Sequence, residues 1–219
     1  MNSPILQLLV LAGIAIFLIL RLRSVLGTRE GFEKSPLPRN EGAPQPQRSF
    51  DVIEGGPDHD IVDHVPEDSN SAKALAEMKR VEPSFNVTEF LGGARGAYEM
   101  ILMGFEKGDL DQIKPFLSPD VYNSFVEVVA AREDQGLHIE AEFMGVRELT
   151  LQEATFDQAT REGELTVRFT GQLTSVVKNA EGEVVEGTPG EAKTQRDIWT
   201  FARRMGSDDP NWQLVATGE

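Results

Sequence analysis

The chain reads as an α+β protein fixed to a membrane by an N-terminal transmembrane helix, and three observations carry that reading. An uncharged apolar run spans residues 4–20. Apolar residues then recur at helical spacing from Ala72 to Val129. Beyond Gly136 the period drops to two. Helices first and antiparallel strands after them make one domain in which a curled sheet packs on helices, an arrangement that commonly leaves a concave apolar pocket.

The apolar run contains a single strongly polar side chain, Gln7, and is followed at once by Arg21 and Arg23. A bilayer core of ~30 Å needs about 20 apolar residues as helix, with roughly 17 as the lower limit. The run meets that limit, with Ile5, Leu8, Leu11, Ile14, Phe17 and Leu20 facing lipid and the arginine stems reaching to the interface. A cleaved signal peptide is the weaker reading, because no basic residue precedes the run and no small-residue cleavage site follows it. Arg21, Arg23 and Arg29 all lie after the run, so the positive-inside rule puts the N-terminus outside and the rest of the chain on the cytoplasmic side.

The chain has 219 residues, a net charge of −15 and no cysteine. Disulfide frameworks and thiolate metal sites are therefore excluded. The acidity argues against nucleic acid or a broad anionic lipid surface as partner. Residues 1–48 nonetheless hold six Lys or Arg against three acids, so the basic residues sit next to the anchor and the acidity lies beyond them. That arrangement suits a helix near anionic headgroups.

Three segments follow: an anchor at 1–26, a disordered Pro-rich acidic linker at 27–69, and a domain at 70–219. The linker carries Pro36, Pro38, Pro44, Pro46, Pro57 and Pro66, and its apolar residues keep no sustained period. Asp58, His59, Asp60, Asp63 and His64 have metal-ligand side chains, but solvated charge is the preferred reading and no metal or cofactor is expected. Short apolar patches at Phe50–Ile53 and Ile61–Val62 are candidate partner motifs.

Ser69 or Asp68 caps a short helix with Ala72, Leu75, Ala76 and Lys79 on one side, which stops at Glu82 because Pro83 follows. The strongest helix comes next, capped by Asn86 or Thr88 and closed by Gly108. Phe90, Leu91, Ala94, Tyr98, Ile101, Leu102 and Phe105 form its apolar face. Gly93, Ala97, Met100 and Gly104 make a second stripe beside it. Close packing of a neighbouring element is preferred there, with a pliable Met-lined groove for a partner or apolar ligand as the alternative. Asp109 to Pro115 is a connector. Ser118, Pro119 and Asp120 then start another helix, with Val121, Tyr122, Phe125, Val128 and Val129 as its core face and Gly136 as its stop.

Strands follow. Ile139, Ala141 and Phe143 alternate with Glu140 and Glu142, then the parity shifts, which predicts a bulge near Gly145. Leu165, Val167, Phe169 and Leu173 alternate, with a second slip by Val176. Asn179 to Gly182 reads as a turn back through Val184 and Val185. Residues 197–202 and 212–216 are the last two strands.

No catalytic constellation rises above chance, so an enzyme is not expected. His138 opens a strand, and Glu140 and Glu142 share its solvent face. Trp199, Phe201 and Trp212 fill a core more readily than they line a pocket. An enzyme would need a polar group of residues converging from Tyr98, Tyr122, Arg132, His138 and Asp197.

The block from Asp197 to Arg203, the block from Asp209 to Thr217, the run from Phe90 to Asp109, and Leu117 to Tyr122 together resemble the Tim-forty-four-like family. The segment from Arg23 to Arg29 after the anchor resembles its membrane-anchored bacterial members. The resemblance implies a nuclear-transport-factor-two-like cone and a place at the bacterial cytoplasmic membrane. It also implies an adaptor role like that of the family's mitochondrial import-motor subunit, which ties a presequence translocase to a heat-shock chaperone. The polypeptide, translocase or chaperone partners are expectations of that kind. Two departures stand out: this chain has its own membrane helix, and its linker is short and acidic. Gly93, Ala97, Met100, Phe143, Phe169, Trp199 and Phe201 are the candidate pocket or partner-binding residues. A pocketed small-ligand or lipid-binding domain, or a cone-fold enzyme, is the alternative.

Overall fold

The computed structural model describes residues 58–218. The expected anchor, with Ile5 through Arg23, and the linker up to residue 57 lie outside them. No helix among the described residues is long and apolar enough to cross a membrane.

The folded body starts earlier than residue 70, which corrects the linker boundary. A one-turn helix, α1 (His59–Val62), is capped by Asp58 and buries Ile61. Ile61 and Val65 both join the core. Val65 lies in the turn beyond α1, its N–H donating to the Ile61 carbonyl at 3.1 Å. Acidic neighbours hide this short apolar pair from a reading based on composition.

The helix α2 (Asn70–Val81) is capped by the Ser69 side chain, which accepts from the Ala72 N–H at 3.0 Å. Its buried face is Ala72, Leu75 and Met78, with Ala76 exposed instead. It ends at Glu82, as the following proline requires. The long helix α3 (Val87–Lys107) has Asn86 as its cap and Gly108 at its end in the left-handed region, φ 74°. The expected connector holds a short helix, α4 (Leu110–Ile113), and a 3-10 turn at Lys114–Phe116. The last helix, α5 (Pro119–Asp134), starts from Ser118, buries Val121 and Val129, and leaves Val128 exposed.

The strands are β1 (His138–Asp157), β2 (Glu162–Lys178), β3 (Val184–Glu186), β4 (Ala192–Arg204) and β5 (Gln213–Gly218). They form one antiparallel sheet in the order β1-β2-β4-β5, with β3 also paired to β2. The bulge expected near Gly145 is present. Register shifts at Phe143/Gly145, Val146/Glu148 and Leu151/Glu153 bend β1. The slip expected by Val176 falls between Val177 and Lys178, on the β2–β3 pairing.

One face of the sheet supplies Leu165, Val167, Phe169, Trp199, Phe201 and Leu214 to the core. The helix α3 lies on that face. Its Phe90 ring meets Trp212 at 4.8 Å and Phe201 at 6.0 Å, and its Tyr98 ring stacks on Phe169 at 4.4 Å with an interplanar angle of 6°. Each such aromatic pair adds about 0.5–1.5 kcal/mol beyond the area it buries.

Candidate functional site

Three polar constellations fasten the helices: one joins α1 and α2 to the start of α3, one joins α3 to β4, and one joins the end of α2 to β4. At the N-terminus of α3, the Asp60 carboxylate accepts from the N–H groups of Val87 (2.7 Å) and Thr88 (3.0 Å) and from the Thr88 hydroxyl (2.9 Å). Those backbone donors have no partner inside the helix, so a carboxylate there satisfies them and complements the positive end of the helix dipole. The Lys79 ammonium bridges Asp60 and Asp58, each at 2.8 Å. Burial raises the Asp60 carboxyl, but the bonds from Lys79, Val87 and Thr88 outweigh it and hold the group at about 2, below its ordinary 3.8. His64 adds a 3.0 Å bond to the Thr88 hydroxyl. Asp60 and His64 thus clamp the start of α3, with Asp58 joined to them through Lys79. No group of them converges as metal ligands among the described residues.

In the middle of α3, the Tyr98 hydroxyl donates to Asp197 at 2.5 Å, and Gln195 donates to the other carboxylate oxygen at 3.1 Å. Asp197 is the buried acid among the described residues. A side chain at Gly171 would come within 2.9 Å of the Tyr98 hydroxyl, so this glycine leaves the room in which the bond forms. Burial first, then the hydrogen bond to Asp197 and its charge, push the Tyr98 phenol well above its ordinary value. At neutral pH the phenol is therefore protonated and acts as a donor, not a base.

At the end of the sheet, Glu82 accepts from Arg203 at 2.7 Å and from the Gly206 N–H at 2.8 Å. The Arg203 guanidinium lies over Trp212, 5.2 Å from the ring centre. Burial raises the Glu82 carboxyl, and the bonds from Gly206 and Arg203 outweigh it, leaving it below its ordinary value.

Of the five residues tested for convergence, only Tyr98 and Asp197 meet. Tyr122 lies under the Lys114 ammonium, 4.8 Å from its ring centre. Arg132 covers Phe105 at 4.3 Å and donates to its carbonyl at 3.3 Å. His138 is exposed at the start of β1.

The candidate pocket residues do not share one cavity. Phe169, Trp199 and Phe201 are buried core. Phe143 is half-buried, 6.0 Å from Tyr98. Gly93 and Met100 are exposed and Ala97 is half-buried. The Tyr98 ring packs against Phe169 at 4.4 Å and Trp199 at 4.7 Å. Close packing of the glycine stripe holds at Gly104, where a side chain would meet Ile113 at 2.6 Å. It does not hold at Gly93, where a side chain would meet nothing within 4 Å. A depression of about 340 Å³ lies elsewhere, between Lys114, Leu117, Pro119, Tyr122, Asn123 and Gln213.

Helices capped and keyed onto one face of an antiparallel sheet, with aromatic and Arg–Trp contacts at its closing strands, define a mixed helix and antiparallel-sheet domain. The chain belongs to the Tim44-like domain family, whose model matches residues 71–219. It is similar to "Mitochondrial import inner membrane translocase subunit TIM44" of Homo sapiens, 25% identical over 148 residues, covering 66% of this chain and 32% of that one. It is also similar to "Probable mitochondrial import inner membrane translocase subunit tin-44" of Caenorhabditis elegans, 25% identical over 66% of this chain and 34% of that one. The chain thus spans about a third of the length of the curated relatives it matches. Among solved structures, the intermembrane space region of chloroplast protein ARC6 is similar at 9% identity and a TM-score of 0.33, covering 50% of this chain and 75% of that one.

Proposed function

We propose that this protein is a single-pass membrane adaptor of the bacterial cytoplasmic membrane, with its N-terminus outside and its domain in the cytoplasm. The helix from Ile5 to Leu20, followed by Arg21 and Arg23, confines the domain to the membrane face. The domain, read as a nuclear-transport-factor-two-like cone, recruits a polypeptide or a chaperone for protein translocation or membrane-protein assembly. It works by binding and does no chemistry of its own. Confinement on a tether raises the effective concentration of such partners to about mM without a new contact.

Membership of the Tim44-like domain family carries this reading, together with relatives named as import translocase subunits. Photocrosslinking in intact membranes tests it. Crosslinks to translocase subunits, chaperones or nascent membrane proteins are expected, and crosslinks to none of these would sink it.

A further inference from the structure

The depression of about 340 Å³ beside α5 is built by segments that the fold ties to one another. The 3-10 turn Lys114–Phe116 leads into Leu117, which is buried and forms a parallel bridge to Leu214 of β5. The Ser118 N–H donates to the Leu214 carbonyl at 2.9 Å, so the start of α5 is tied to the start of β5. Ser118 then caps α5, its side chain accepting from the Val121 N–H at 3.3 Å. Pro119, Tyr122 and Asn123 follow at helical spacing, which puts them on one face of α5. Gln213 lines the depression from β5. Backbone bonds and a helix cap thus hold these segments in place, so little ordering is left to be done on binding.

The lining divides by chemistry. Leu117, Pro119 and the Tyr122 ring are apolar. Lys114 is the charged residue among the lining, with its ammonium 4.8 Å from the Tyr122 ring centre. It forms no ion pair among the described residues, in a chain of net charge −15. Asn123 and Gln213 are exposed amides, each able to donate and to accept. Such a lining matches one apolar side chain, one carboxylate and the peptide groups beside them. The volume lies at the small end of ligand sites, which run from about 300 to 1,000 Å³, and suits a side chain with its neighbour better than a helix.

We propose that this depression binds an extended polypeptide segment in which a large apolar residue is followed by an acidic one. The apolar side chain covers Leu117, Pro119 and Tyr122, the carboxylate meets the Lys114 ammonium, and the Asn123 and Gln213 amides take the peptide groups. Covering the ring also removes water from the Lys114–Tyr122 contact, which strengthens it. The proposal rests on the adaptor reading and names a contact for its polypeptide. A fatty-acid-like amphiphile would use the apolar floor and the cation but leave the amides idle, and the experiment separates the two.

The probe is a dye-labelled, capped peptide of glycine and serine around a central leucine–glutamate pair. It is added to the full-length protein in detergent, and fluorescence anisotropy is read. A photoreactive leucine in the same peptide should attach to the lining of the depression. A leucine–lysine peptide and a serine–glutamate peptide should each bind about tenfold more weakly, the first for want of the charge pair and the second for want of the apolar contact. Lys114→Glu should reverse the preference between the glutamate and lysine peptides, and its binding of the lysine peptide shows that it is folded. Attachment elsewhere, equal binding of these two peptides, or displacement of the probe by octanoate at equal concentration would overturn the proposal. Failure of this site and of the adaptor reading remain distinguishable. If the Lys114→Glu protein keeps every polypeptide crosslink in membranes, the site proposal fails and the adaptor stands. If the peptide binds the depression while membranes give no crosslinks, the site stands and the adaptor fails.

Discussion

Asp60 and Asp197 both fasten α3, and they do it by opposite physics. Asp60 sits at the rim, paired with Lys79 and bonded to backbone N–H groups at the helix start. Asp197 is buried and takes its bonds from the neutral side chains Tyr98 and Gln195. The rim carboxylate gains from charge and from the helix dipole, and its partners lie within reach of water. Among the described residues the buried one forms no salt bridge, so its hydrogen bonds must replace hydration almost entirely. One tie sets where the helix begins, and the other sets its register over the sheet.

Breaking the buried tie should cost most. Tyr98→Ala removes the ring stacked on Phe169 as well as the hydroxyl, and a loss of about 3–5 kcal/mol is expected by chemical denaturation. Tyr98→Phe keeps the ring and strips one donor from Asp197, for about 1–3 kcal/mol. Equal losses in the two variants would mean that the stack contributes nothing.

The rim tie should cost less and should depend on pH. Asp60→Asn is expected to lose about 1 kcal/mol at neutral pH, in the range of a helix-cap deletion. The folded carboxyl titrates below its ordinary value, so its contribution is present above 3.8 and fades as the pH falls to about 2. The stability gap between wild type and Asp60→Asn should therefore close on acidification. A gap that stays constant down to the lowest pH would remove the charge from the account.

The glycines of α3 separate by the sign of the effect. Gly93→Ala meets empty space and should stabilise the helix by up to ~1 kcal/mol. Gly104→Ala runs into Ile113 and should destabilise by about 1–3 kcal/mol. Thermal melts of the two variants should move in opposite directions.

What was legible in the sequence was local. Ser69, Asn86, Ser118 and Gly108 announce the helix ends because capping is short-range chemistry. Alternation reveals the strands and the bulge at Gly145 because side-chain period is a property of the strand itself. The Asp60 clamp was hidden because its partners stand 27 and 28 residues away and α1 is a single turn. The core role of Trp199 was the preferred reading, while nothing local distinguished core from pocket for Phe169. Periodicity puts both on one face, and only packing decides whether Tyr98 fills the space above them.

The proposed adaptor role depends on residues 4–20 confining the domain to the membrane. Its most direct test is complementation of a null strain by two altered chains. One lacks residues 1–26, and the other carries an unrelated single-pass helix of the same orientation in their place. The account predicts that the first is folded and inactive and that the second restores growth. Full complementation by the chain without a helix would contradict it.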